Sequence, residues 1–393
     1  MRTLMILAIG LLIAACSTPQ NEETTSATFT GEAPYLFTDN VGTTYLSWTE
    51  AGESENQLKF STYNKGQWSD PQIIAKGSNW FVNWADYPVI VTKNGKNFIS
   101  HYLAKSSEGT YSYDVTVKHS TNAAKDWSEP YVLHDDGKPA EHGFVSMVPY
   151  GENFFVTWLD GRNTVSDDTT THTGHGGGGP MTLRAAIVSP QGEKINEWEL
   201  DNKVCDCCQT TAVITDNGPI VAYRDRSDEE IRDMSLVRLV DNQWTAPVPL
   251  HEDGWKIAGC PVNGPRLSAA GNAVAAAWFT AANGNAEVKV KFSYDGGATF
   301  GNVIKVSKEA PIGRVDVEML DETTALVSWM EGSDIVAAKV TDTGEILEQM
   351  TIASSSQSRS SGFPQLTKNN DQLIFAWTDS EAGEIKTKIV NLK

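Results

Sequence analysis

Three cysteines fall within four positions in "VCDCCQ" (204–209), namely Cys205, Cys207 and Cys208, and a fourth, Cys260, follows in "AGCPVNGP" (258–265). Thiols so placed suit a disulfide staple, a soft-metal site or a redox centre, and the compartment decides among them. The arginines are the second chemical signal. After Arg2 there are nine, Arg162, Arg184, Arg224, Arg226, Arg232, Arg238, Arg266, Arg314 and Arg359, all beyond the first third of an acidic chain of net charge -19. A guanidinium offers a rigid two-pronged fork for carboxylate, sulfate or phosphate. The acidity argues against nucleic acid as a partner, because phosphate binding needs a basic footprint.

The N-terminus speaks to compartment. Arg2 precedes an apolar run from Leu4 to Ala15, too short to span a bilayer and shaped like the core of a signal peptide. It ends in Ile13-Ala14-Ala15-Cys16, which resembles the lipobox of bacterial lipoproteins. The resemblance implies removal of residues 1–15, a lipidated Cys16 and a polar tether over 16–26. It also implies a membrane-anchored protein on the periplasmic or outer-membrane side of the cell envelope. In an oxidising compartment disulfides among Cys205, Cys207, Cys208 and Cys260 are the expectation, with connectivity open.

Residues 27–393 must position these groups, and they repeat. One pattern, a strand ending in an aromatic and then a polar residue, recurs at roughly fifty-residue spacing: "YLSWTE" (45–50), "FISHYLAK" (98–105), "FVTWLDGR" (155–162), "IVAYRDRS" (220–227), "AAAWFTAA" (275–282), "LVSWMEG" (326–332) and "IFAWTDS" (374–380). Seven such units without amphipathic helices predict an all-β, seven-bladed propeller. The last unit is one strand short, and "SATFT" (26–30) is expected to supply that strand and close the ring.

"SYDGGATF" (293–300) resembles the Asp box, a turn between the outer strands of a blade, with weaker echoes in "STNAAKDW" (120–127) and "STYNKGQW" (61–68). With the repeats, these motifs give the chain from 27 onward a resemblance to the sialidase-like, BNR-repeat propellers, whose enzymes have six blades. A six-bladed ring is therefore the alternative. The resemblance implies three arginines clamping a sugar carboxylate, a tyrosine nucleophile activated by a glutamate, and an aspartate acid/base. Arg224, Arg314 and Arg359, from different blades, are the expected clamp. Asp86 in "WADYP" is the expected acid/base, with Asp160, Asp225, Asp316 and Glu331 as rivals, and Tyr87 and Tyr223 are the candidate nucleophiles. The chain departs from the family where the Arg-Ile-Pro motif is replaced by "APYLF" and where no tyrosine follows Tyr294.

Propeller geometry puts the starts of innermost strands and the ends of second strands on one face, around a central funnel. Asp86, Tyr87, Asn263 and Arg314 fall at the first kind of position, Asp160 with Arg162, Arg224 to Arg226 and Glu331 at the second. The expected function is binding of an anionic, sialic-acid-like glycan by a monomer that needs no cofactor. If the chain is an enzyme, the resemblance implies a glycoside hydrolase of exo-α-sialidase type. The alternative is a non-catalytic scaffold, or a copper-like soft-metal lipoprotein using the Cys, His and Met residues of the funnel, those of the cysteine cluster and of "GHGGGGPM" (174–181). The insertion "NTVSDDTTTHTGHGGGGP" (163–180) is expected over the same face, as a lid or a solvated loop. Its Asp167, Asp168, His172 and His175 match no specific metal-ligand spacing.

Overall fold

In a computed structural model, described for residues 26–165 and 178–392, thirty strands form seven separate antiparallel sheets arranged as seven blades. Blade three shows the unit: His142–Tyr150 innermost, then Asn153–Asp160, Thr182–Val188 and Lys194–Asp201 outermost. The other blades begin at Glu32–Thr38, Ile90–Lys93, Thr211–Thr215, Arg266–Ala270, Pro311–Met319 and Gln365–Asn369. The expected closure is present. Thr28–Thr30 pairs antiparallel with Glu384–Asn391, so the last blade is completed by the first strand. This ties the two ends of the described chain together and leaves no open sheet edge between first and last blades. Residues 1–25, with Cys16, and Asp167, Asp168, His172 and His175 of the insertion lie outside the described residues. Among the described residues no helix is long and apolar enough to cross a membrane.

Second strands are buried on both faces, because each blade is sandwiched by two neighbours. The repeated aromatic is the reason they pack. Trp48, Trp158, Trp278 and Trp329 occupy equivalent positions and are fully buried, with Tyr223 and Trp377 at the same place in blades four and seven. Blade two has His101 there, equally buried, and burial lowers its pKa to about 3 so that it stays neutral. The apolar core is accordingly a series of layers between neighbouring blades rather than one ball. Leu58, Phe60, Ile90 and Phe98 fill the first gap, and Ile220, Met234, Leu267 and Trp278 fill that between blades four and five.

The Asp box forms as a turn held by its own side chains. Asp295 accepts from the Thr299 amide (2.9 Å) and hydroxyl (2.7 Å), and the Gly297 amide donates to Ser293 (2.9 Å). Its echo at 120–127 repeats the pattern, with Ala124 N donating to Ser120 Oγ (3.2 Å) and Asp126 N to Asn122 Oδ1 (3.1 Å). These turns follow third strands and lie on the face away from the candidate site.

Candidate functional site on the strand-start face

The face where innermost strands begin carries nearly all the groups singled out above, but the channel is closed there. The connection from blade one to blade two crosses it. Gln209 of blade four donates to Ala85 O (2.7 Å), Trp84 stacks on Phe363 of blade seven (5.7 Å), and the Arg314 guanidinium sits over the Trp84 ring (5.2 Å). The expected open funnel is thus a sealed floor. Asp86 and Tyr87, though adjacent in sequence, lie on opposite sides of it.

Asp86 points outward to blade three. Its Oδ2 accepts the Phe144 amide (2.8 Å), while Oδ1 is buried without a partner. Phe144 has φ of 54° at a bulge in its strand, and this left-handed residue turns the amide toward Asp86. Gly143 is required beside it, since a Cβ would lie 2.1 Å from Asp86 Oδ2 and 3.1 Å from the Tyr113 ring. The Tyr113 hydroxyl donates to Glu141 Oε1 at 2.7 Å. Burial raises Asp86 to about 8, with the Phe144 amide opposing and Glu141 adding to the rise. Burial likewise raises Glu141 to about 7, against the hydrogen bond from Tyr113. Two carboxyls held near neutrality and a phenol therefore adjoin at the boundary of blades two and three. Phe81 covers Tyr113, its ring stacked at 4.0 Å. Tyr113 escaped the sequence reading because it begins a third strand, and Glu141 because the innermost strand of blade three starts earlier than its sequence suggested; the contact between blades two and three pairs them.

The expected arginine clamp does not assemble. Arg224 is 2% exposed and spends its guanidinium on backbone carbonyls, those of Asn263 (2.7 and 3.0 Å), Arg232 (2.6 Å) and Phe279 (2.8 Å), while stacking on Trp255 (4.7 Å). It occupies the strand position of Leu159, Phe279 and Met330, an interior slot between blades, which is why it is structural. Arg314 is also buried and donates to Ser361, Gly362, Ser358 and Gln357; burial without a carboxylate lowers it to about 10. Arg359 is exposed and shares the Trp84 ring with Arg314 at 5.9 Å.

The remaining expected residues scatter. Tyr223 is fully buried and donates to Asp201 (2.5 Å), and burial pushes its phenol well up. Glu331 accepts the Glu309 amide (3.0 Å) in blade six, far along the ring from Asp86. Asn263 accepts the Arg314 amide (2.6 Å) and Asp225 accepts from Ser235 (2.9 Å). Arg226 pairs with Glu230 (2.7 Å) and Asp206 (3.2 Å). Arg162 grips Asp160 with both prongs (2.7 and 2.8 Å). Asp160 borders a group the sequence reading missed. His134 and His142 stack at 3.6 Å among Asp114, Asp136 and Asp160. Burial opposes the charged form of His142, but hydrogen bonding to Asp136 and the charge of Asp160 outweigh it and raise its pKa.

The cysteines also depart from expectation. No disulfide is formed: Cys205, Cys207, Cys208 and Cys260 are all free thiols, with Cys205 and Cys208 sulfurs 3.6 Å apart, well beyond a bonded ~2.05 Å.

Beneath the floor, the axial channel encloses about 320 Å³ between the seven innermost strands. Tyr87 points into it, hydrogen-bonded to Arg266 and stacked with Tyr35 (6.0 Å). Asp316 lies 3.9 Å from Arg266, and burial, reinforced by Asp316, raises Glu318 to about 7. Arg266 is thus the arginine nearest to a ligand-sized cavity, and only the inward alternation of its strand could have flagged it.

No protein-family model and no curated protein matches the chain. Among solved structures, it is similar to the polysaccharide lyase Uly1, at 9% identity over 93% of this chain and 90% of that one, with TM-score 0.54. It is similar to the Hadza microbial sialidase Hz136, at 13% identity over 87% and 74%, with TM-score 0.51. A puromycin-hydrolyzing peptidase from Mycobacterium tuberculosis matches at 9% identity over 90% of this chain but 52% of that one, with TM-score 0.50. At these identities the likeness is one of fold: the chain is a seven-bladed β-propeller, similar in fold to these structures.

Proposed function

We propose that this propeller is a lipid-anchored cell-envelope protein that binds and cleaves an acidic glycan on its strand-start face. The observation that carries the reading is the Tyr113–Glu141 hydrogen bond of 2.7 Å beside the buried carboxyl of Asp86. A carboxyl raised to about 8 keeps its proton at neutral pH and can give it to a departing glycosidic oxygen. Glu141 can take the phenol proton as the Tyr113 oxygen attacks the anomeric carbon, the division of labour that a sialidase resemblance implies. Substrate reaches the pair when Phe81 and its connection lift from Tyr113. Arg226, partly exposed and paired with Glu230 and Asp206, would exchange one of those carboxylates for that of the sugar. A non-catalytic glycan-binding platform is the second reading, favoured by the burial of Asp86, Tyr113 and Glu141, all under 9% exposed.

The test is turnover by the full chain of a fluorogenic sialoside and of uronic-acid polysaccharides, read as released fluorophore and as new reducing ends. Asp86→Asn and Tyr113→Phe are expected to lower turnover by roughly 100-fold or more. Unchanged turnover in both variants would move the chemistry elsewhere. No turnover of either class by folded protein would sink the enzyme reading.

A further inference from the structure

The four thiols that form no disulfide still converge. Cys205, Cys207 and Cys208 offer sulfurs that all lie within 4.8 Å of one another, and Cys207 also lies within hydrogen-bonding reach of Cys260. Cys205 and Cys208 are separated by two residues in sequence, the spacer common in thiolate metal sites, with Cys207 lying between them in the chain. Their 3.6 Å separation matches the edge of a tetrahedron with zinc–sulfur bonds of ~2.3 Å, roughly 3.8 Å.

We propose that Cys205, Cys207, Cys208 and Cys260 form a thiolate site for a thiophilic d10 metal ion, zinc(II) or copper(I), that clips blade four to blade five. Two guanidiniums border the cluster. Arg232, 3% exposed, donates Nη1–H to Cys205 Sγ at 3.2 Å, and Arg224 lies close enough to bias the same sulfur. A divalent ion with four thiolates carries two negative charges, and Arg224 and Arg232 lie beside it, Arg232 also pairing with Glu230 at 2.8 Å. Both strand-leading segments are pinned: Cys205 N donates to Arg224 O (3.0 Å), and Asn263, three residues past Cys260, is held by Ile312 O (3.3 Å). Cys260 is exposed and gives the ion its route in. On binding, each thiol releases its proton to solvent as its metal–sulfur bond forms, and no oxidant or reductant is consumed.

The experiment uses the full chain, reduced anaerobically and stripped with a chelator, then titrated separately with zinc(II), cobalt(II) and chelator-buffered copper(I). Metal per chain is read by mass spectrometry, thiols by a colorimetric thiol reagent, and cobalt–thiolate bonding by its charge-transfer absorption. One zinc or copper per chain is expected, with the thiols shielded until chelator is added, and competition between the two identifies the resident ion. Cys207→Ser should weaken binding by roughly 100-fold. Cys260→Ser, at an exposed position that leaves the fold intact, should weaken it less and open a thiol to reagent. Two disulfides that re-form in air together with no stoichiometric metal in the reduced chain, or cobalt binding without thiolate charge transfer, would overturn the proposal.

Discussion

Asp86 and Asn263 hold the same post at two boundaries of the ring, and they differ by one atom. Each receives the amide of a left-handed bulge residue in the next blade: Phe144 N to Asp86 at 2.8 Å, Arg314 N to Asn263 at 2.6 Å. Each is crowded by a glycine that must lack a side chain, because a Cβ on Gly143 would lie 2.1 Å from Asp86 and one on Gly313 2.2 Å from Asn263. The scaffold requirement is therefore an acceptor, and either residue meets it. What remains after that requirement separates them. Asn263 uses its Nδ2 on Pro261 O and Ile312 O, so neither of its side-chain polar atoms is left without a partner. Asp86 has an oxygen left over, next to Glu141 and Tyr113. The lesson is that a repeated structural position becomes chemical where the repeat substitutes an ionisable group for a neutral one and the neighbours keep it from ionising.

The comparison breaks most heavily at the Asn263 boundary. Arg224→Ala strips the partners from three buried carbonyls, including that of Asn263, and is expected to cost on the order of 3 kcal/mol or more in denaturant unfolding. Exchanging the two residues sharpens it. Asn263→Asp removes the Nδ2 donor to Pro261 O and Ile312 O but sets its charge near the Arg224 guanidinium, which donates to Asn263 O at 2.7 and 3.0 Å, so it should destabilise by only about 1–2 kcal/mol, with none of the fall through pH 8 that Asp86 shows.

Asp86→Asn should remove that fall. The wild-type carboxyl has a folded pKa of about 8, above its unfolded value of 3.8. Between those values the unfolded chain has lost the proton that the folded chain keeps. Its contribution to stability is therefore fully present at low pH and is lost as pH rises through about 8. The variant is expected to flatten that fall and to gain about 1 kcal/mol or more above pH 8, seen in thermal or denaturant unfolding across pH, while losing turnover. Asp295→Ala in the Asp box, on the opposite face, sets the small end of the scale. A loss of about 1 kcal/mol is expected, and because burial is outweighed by hydrogen bonds that hold the Asp295 carboxyl below its ordinary range, the pH profile should change only on the acid side, where that contribution is lost as pH falls.

Much of the architecture is legible in the chain because it is written in local repeats. The aromatic-then-polar ending of seven second strands, the Asp box at 293–300 and the missing last strand all report on contacts within one blade or its closure, and the structure has all three. The site is legible only in part. Position within a repeat correctly sends Asp86, Arg224, Arg314 and Asn263 to one face. It does not tell whether a guanidinium at that address meets solvent or a cage of carbonyls, since Arg224 sits in a strand position that elsewhere holds leucine, phenylalanine or methionine.

Sequence by itself determined the blade and the strand that closes the ring, because these follow from periodicity and short-range pairing, while its seven repeats still left six blades as the alternative. Only the tertiary structure decided which groups meet. It set Tyr113 against Glu141, stacked His134 on His142, turned Tyr87 into the channel with Arg266 while Asp86 faced away, and gathered four unbonded thiols from two blades. The physical reason is that these contacts lie between blades. Their distances depend on how neighbouring sheets pack and on left-handed bulge residues such as Phe144 and Arg314, and no repeat of one blade encodes its neighbour's side chains.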